Sequence, residues 1–143
     1  DYAACFGLWQ MNRIEKWQLR RDEIVKKYIN GLNHIDSILL PKVKKGHSKH
    51  LFVIRLDLDK WSISRNIFIE KMNKKGIGLA VHYKPLHQLS YYKNKYQFKI
   101  ENFPMANSLY ESIISLPIYP KLSDSSVDYI INSIIELNNL YSK

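Results

Sequence analysis

One cysteine, five glycines and five prolines are spread over 143 residues. A lone cysteine, Cys5, leaves no intrachain disulfide and fits a reducing compartment, so the cytoplasm is the expected location. No apolar run approaches the roughly 18 residues that a membrane span needs. No charged segment with an apolar core opens the chain, so no secretory leader is expected. The catalytic signatures of several large enzyme classes are missing as well. There is no Gly-x-Ser-x-Gly elbow, which argues against a hydrolase built on a Ser–His pair such as Ser48 and His50. There is no phosphate-cradling glycine loop, no Cys-x-x-Cys pair and no dinucleotide fingerprint. Gly76-Ile-Gly78 lacks the third glycine of that fingerprint and follows a helical segment rather than a strand.

Acidic side chains are also scarce. Thirteen Asp and Glu face 22 Lys and Arg, for a formal charge of +9. Such a charge favours acidic partners: nucleic acid, anionic lipid or phosphorylated small molecules. The basic residues are dispersed, however. Their densest run, Lys42 to His50, reads as a solvated loop before a strand. A stand-alone basic module gripping nucleic acid or another polyanion is the alternative reading of this composition. The tyrosines and lysines of residues 91–98 could stack on single strands, but read more simply as a covering loop. Hydrophobic content of 45% and charged content of 24% are ordinary for one globular domain with a real core.

Residues 2–32 read as one long helix. Ala4, Leu8, Met11 and Ile14 mark an apolar face that drifts towards Trp17, Ile24 and Tyr28, so each half is expected to meet a different neighbour. Gly31 is its expected stop. No capping signal precedes Ala3, and a helix that starts without one suggests a piece of a longer protein. Cys5, among Ala3, Ala4 and Phe6, is expected to be an inert core thiol. The apolar face of residues 3–14 is expected to pack onto a neighbour.

Residues 33–50 read as a loop. Leu51 to Leu58 alternates, with Phe52, Ile54, Leu56 and Leu58 on one side and Arg55 and Asp57 on the other, as a strand with one core face requires. Ser62 or Ser64 caps a helix to about Lys75, closed by Gly76. Ile77 to Tyr83 is predicted as a second strand. Pro104 opens a helix to about Ile114. Leu116 to Tyr119 is predicted as a short third strand at an edge because of Pro117. Ser123 to Ser126 caps a last helix carrying Val127, Ile130, Ile131, Ile134 and Ile135 on one face. The expected fold is a two-layer α/β sandwich: a small, mostly antiparallel sheet with helices packed on one side, preceded by a long N-terminal helix. Residues 1–32 form the linking helix and residues 33–143 the small domain.

The segment Gly76-Ile-Gly-Leu-Ala-Val-His-Tyr-Lys-Pro-Leu-His87 concentrates the chemistry. Along it Ile77, Leu79, Val81 and Tyr83 point one way; Gly78, Ala80 and His82 point the other. That second face is nearly bare until His82, so another surface can approach the backbone closely. His82 and His87 lack a third metal ligand at suitable spacing, and no metal site is expected. As hydrogen-bond donors beside Tyr83 and Lys84 they suit a sugar or phosphate ligand.

The order of these motifs is similar to that of a known family. Ala4-Cys-Phe-Gly-Leu-Trp-Gln-Met11 with Arg13-Ile-Glu15 is followed by His50-Leu-Phe-Val-Ile-Arg55, Lys75-Gly-Ile-Gly78, His82-Tyr-Lys-Pro-Leu-His87, Tyr91-Tyr92 and Phe103-Pro104. Ser115-Leu-Pro-Ile-Tyr-Pro-Lys-Leu-Ser-Asp124 and Val127-Asp-Tyr-Ile130 complete the series. Along essentially its whole length the chain resembles the C-terminal small domain of the DegT/StrS-type sugar aminotransferases, enzymes of fold type I that use pyridoxal phosphate. The resemblance implies a homodimeric parent, with active sites at the subunit interface, that moves an amino group from glutamate to a nucleotide-linked keto sugar for polysaccharide or glycan synthesis. The lysine that holds the cofactor, and the other cofactor-binding residues, belong in this family to a large N-terminal domain that this chain lacks. No catalytic or cofactor-binding residue is therefore expected here, and the fragment alone is expected to be inactive. By position, the resemblance implies that His82, Tyr83, Lys84 and His87 face the nucleotide sugar, with neither membrane nor nucleic acid as partner.

Overall fold

The computed structural model describes residues 1–44 and 46–143; Lys45 of the basic run lies outside the described residues. Among the described residues six α-helices and three strands follow one another: α1 (Tyr2–Met11), α2 (Ile14–Leu32), β1 (Ile38–Leu39), β2 (Phe52–Leu56), α3 (Arg65–Lys74), α4 (Ser90–Tyr96), α5 (Pro104–Ser112), β3 (Ile113–Leu116) and α6 (Asp124–Tyr141). The sheet order is β1-β2-β3 and both pairings are antiparallel. Ile38 sits opposite Leu56, and Phe52 opposite Leu116.

One core joins the layers. β2 alternates as its sequence demands: Phe52, Ile54 and Leu56 are buried, whereas Arg55 is exposed. Against that face pack Ile24, Val25, Tyr28 and Leu32 of α2, Phe68 and Met72 of α3, and Val127, Ile130, Ile134 and Leu137 of α6. Tyr28 stacks on Phe52 with ring centroids 5.3 Å apart, and its hydroxyl donates to the Pro117 carbonyl at 2.8 Å. α2 and α6 approach closely because Gly31 has no side chain: a Cβ there would lie 2.7 Å from Ile131 Cγ2. Gly31 lies inside the last turn of α2, one residue before its end. Arg20 to Asp124 (2.7 Å) and Lys27 to Asp128 (3.0 Å) tie the same two helices at the surface.

The N-terminal helix is interrupted. Asn12 and Arg13 separate α1 from α2, and the Arg13 N–H reaches back three residues to the Gln10 carbonyl instead of four. The Arg13 guanidinium lies 3.4 Å from the Trp9 ring centroid, so side chains rather than a Gly or Pro hold the break. The Asp1 carboxylate accepts from the Ala3 N–H at 3.1 Å, so α1 does have an N-cap. Every residue of α1 is exposed, Cys5 included. Cys5 is thus exposed rather than a core thiol, because no residue of α1 is buried.

Three strand expectations shift. β1, two residues long, lies in the stretch expected to be loop. The strand expected over Ile77–Tyr83 reduces to a single bridge between Ala80 and Ser115, with N–H to carbonyl distances of 3.3 and 2.8 Å. β3 begins at Ile113, ahead of the expected Leu116, because α5 stops at Ser112, whose hydroxyl turns back onto the Ser108 and Leu109 carbonyls. β3 lies between β2 and the Ala80 bridge, and Pro117 falls just past its end.

Candidate functional site

The site grows out of the end of α3. Ser64 caps that helix through its hydroxyl, and Gly76 ends it with φ +76°, a left-handed conformation that suits glycine. Ile77 then drops into the core, and Leu79 and Val81 are half-buried. Gly78 and Ala80 are exposed, and a Cβ on Gly78 would meet no atom within 4 Å. The expected alternation holds from Ile77 to Val81 and fails at Tyr83, which was expected on the inner face with Ile77 but is 76% exposed beside His82.

At the end of that bare strip stands His82, half-buried, with Nδ1 2.8 Å from the Ser115 hydroxyl. The Tyr83 ring meets it edge-on at 4.8 Å, and the His82–Tyr83 peptide is cis. Tyr83 is 76% exposed and Lys84 is exposed too. Of the expected residues, half-buried His82 touches Tyr83, and Tyr83 and its chain neighbour Lys84 are exposed.

His87 is elsewhere. It is 6% exposed and stacks on Phe103 at 4.4 Å. Its Nε2 lies 2.7 Å from Asn107 Oδ1, which also accepts from Gln88 Nε2 at 2.6 Å. Asn107 Nδ2 donates to the Ile100 carbonyl, which fixes the amide so that Oδ1 faces the histidine. His87 therefore donates through Nε2 and is engaged in holding α5 against the turn that carries Leu86.

Sequence reasoning passed over two residues here. In the sequence Ser115 figures only as the first residue of a family motif and Asn107 only as part of a predicted helix; the contacts that bring them to His82 and His87 show their use. Most of the segment expected as a Tyr- and Lys-rich loop is helix α4; its Tyr92 and Tyr96 stack in series with Phe98 just beyond it, and Lys95 lies over the Tyr91 and Tyr96 rings.

The lysines do not suit a carbonyl cofactor. No lysine among the described residues is buried. Where an amine departs from its ordinary value it goes up: Lys75 through its hydrogen bond to Glu136, and Lys74 through its bond to Glu70. A nucleophilic amine needs the opposite shift, produced by desolvation or a neighbouring cation. Among the described residues no group of three His, Cys, Asp or Glu could hold a metal. None of the described lysines thus fits a pyridoxal phosphate anchor.

Fold and site together define a small antiparallel α/β domain with His82 in contact with exposed Tyr83, and Lys84 exposed next to it. Residues 1–135 match the DegT/DnrJ/EryC1/StrS aminotransferase family, and the chain belongs to that family. It is 33% identical over 140 residues to the spore coat polysaccharide biosynthesis protein SpsC of Bacillus subtilis, covering 96% of this chain and 36% of SpsC. Among solved structures it matches Spr1654 of Streptococcus pneumoniae, assigned as a sugar aminotransferase, in its PLP form: TM-score 0.85, 36% identity, 94% of this chain and 34% of that one. It also matches Helicobacter pylori PseC, an aminotransferase of pseudoaminic acid biosynthesis, with TM-score 0.86 and 25% identity over 94% of this chain and 36% of that one. The chain spans about a third of the length of these relatives.

Proposed function

We propose that this chain is the substrate-side domain of a pyridoxal-phosphate-dependent sugar aminotransferase. The parent transfers an amino group from glutamate to a nucleotide-linked keto sugar that feeds polysaccharide or glycan synthesis, and works as a homodimer. The cofactor is held by a part of the parent outside this chain, and the chain by itself does not transaminate. Family membership, the PLP form of Spr1654, and the biosynthetic roles in the names of SpsC and PseC support this reading.

The observation that carries the site assignment is the bare strip. Gly78 and Ala80 are exposed, and no described atom lies within 4 Å of a Cβ added at Gly78. Just beyond them His82, Tyr83 and Lys84 supply an imidazole, a phenol and an ammonium group along one rim, with Tyr83 and Lys84 exposed and His82 half-buried. Hydroxyls of a sugar and oxygens of a diphosphate are acceptors that such donors match. His87 contributes from behind, by fixing the turn that follows the rim.

The test uses the full-length parent. With His82→Ala and Tyr83→Phe, kcat/KM for the keto sugar falls while the half-reaction with the amino donor is retained. Unchanged kcat/KM for the sugar in both variants would remove the assignment. A rise in KM alone would mark uniform binding rather than a role confined to the transition state.

A further inference from the structure

We propose that Ser115 is a positioning residue that locks His82 as a hydrogen-bond donor, with its Nε2–H turned to the ligand. The proposal deepens the reading of His82 as a substrate-facing residue and rests on it for the ligand.

Ser115 sits on β3 and is 5% exposed. Its own N–H donates to the Ala80 carbonyl at 2.8 Å, and its carbonyl accepts from the Ala80 N–H at 3.3 Å. Across the strand it pairs with Val53. The residue therefore has little freedom, and its hydroxyl is delivered 2.8 Å from His82 Nδ1. His82 stands two residues beyond the bridge, on the same strip.

The direction of that bond follows from counting partners. A hydroxyl carries one proton to give and two lone pairs. Among the described residues the Ser115 Oγ has no partner other than His82 Nδ1. If Nδ1 donated, the buried hydroxyl proton would be left without an acceptor, which costs roughly 1–3 kcal/mol. If the hydroxyl donates, its proton is satisfied and Nδ1 uses its lone pair. A neutral imidazole then bears its proton on Nε2. Nε2 has no partner among the described residues and is not one of the buried unpartnered atoms. It opens to the rim as an N–H donor.

The ligand group that His82 meets is thus an acceptor oxygen: a keto or hydroxyl oxygen of the sugar, or a phosphoryl oxygen. A group that must lose a proton to His82 is not the match, because in this state the exposed nitrogen has no lone pair to receive one.

Ring-nitrogen NMR of the 143-residue chain at about pH 9, where free imidazole is neutral, reads the tautomer directly. In the wild type, Nε2 should be of the protonated type and Nδ1 of the unprotonated type, with one tautomer only. Ser115→Ala should release the ring into a mixture, and Ser115→Thr should restore the single form. A wild type with Nδ1 protonated overturns the proposal without any variant, so it stays testable if Ser115→Ala does not fold. A wild-type mixture matching Ser115→Ala overturns it too. The readout is independent of substrate. If the tautomer is as stated but His82→Ala leaves sugar kcat/KM intact in the parent, the substrate reading fails and the positioning role stands.

Discussion

Tyr28→Phe probes the joint between the helical layer and the sheet. The substitution keeps the ring, its stack on Phe52 and its complete burial. It removes one hydrogen bond of 2.8 Å and leaves the half-buried Pro117 carbonyl without that donor. A net hydrogen bond is worth about 0.5–1.5 kcal/mol and an abandoned acceptor costs roughly 1–3 kcal/mol, so the expected loss near neutral pH is about 1–2 kcal/mol. The size of this loss should depend on pH. Burial pushes the Tyr28 phenol above its ordinary value of 10.0. Between that value and the folded one, the unfolded chain sheds the proton and the folded chain keeps it. The stability this group contributes is complete below pH 10 and is lost as pH rises, by up to about 1.4 kcal/mol per pH unit. Phenylalanine has no such proton. Urea unfolding followed by far-UV circular dichroism from pH 8 to 11 should therefore show the two stability curves apart at pH 8 and converging near pH 11. All other titrating groups are shared and cancel in the difference. Parallel curves over this range, or a loss below about 0.5 kcal/mol at pH 8, would refute the buried, donating phenol.

Two further expectations concern packing. Gly31→Ala places a Cβ 2.7 Å from Ile131 Cγ2 and 2.9 Å from its Cδ1. Overpacking of about 1–3 kcal/mol, less about 1 kcal/mol of helix propensity gained over glycine, leaves a net loss of about 0–2 kcal/mol. Combined with Ile131→Ala, the pair should cost less than the sum of the single changes by about 1 kcal/mol; strict additivity in chemical denaturation would contradict the contact. Arg65 is 6% exposed, lies 5.0 Å from the Tyr110 ring, and has a buried Nε without a partner among the described residues. Arg65→Met keeps length and removes the unmatched donor, so stability should hold or rise by about 1 kcal/mol, whereas a loss above 1 kcal/mol would show a partner that the geometry lacks.

Much of this was legible from local pattern. The spacing of Val127, Ile130, Ile131 and Ile134 marks the buried face of α6, and the alternation of Phe52, Ile54 and Leu56 marks the inner face of β2. These signals are strong because burial acts on every second residue of a strand and on each turn of a helix. The rest depends on contacts distant in sequence or on pairing that periodicity does not report. Alternation places the faces from Ile77 to Val81 but not Tyr83, and a ladder needs a partner strand, whereas among the described residues a single bridge, Ala80 to Ser115, forms. The break at Asn12–Arg13 carries no Gly or Pro and is held by a guanidinium over Trp9. β1 exists only through its pairing with Leu56 and Arg55. At the site, the sequence marks His82, Tyr83, Lys84 and His87 alike as polar groups at a strand end. Asn107, twenty residues away, takes His87 into the interior. No local signal distinguishes it from the three on the rim.

The open face at Gly78 offers the most direct test of the claim that this strip meets a part of the parent or its substrate outside the chain. Gly78 is exposed and needs no left-handed φ, and a Cβ added there meets no described atom within 4 Å, so Gly78→Val starts from open space on this chain. The decisive measurement is kcat/KM of the Gly78→Val full-length parent with the proposed keto sugar substrate, taken beside the thermal unfolding of the same variant. The account predicts a fall of at least about tenfold, equivalent to about 1.4 kcal/mol, with the unfolding midpoint unchanged. Wild-type kcat/KM would mean that nothing approaches the bare strip, and would contradict the account.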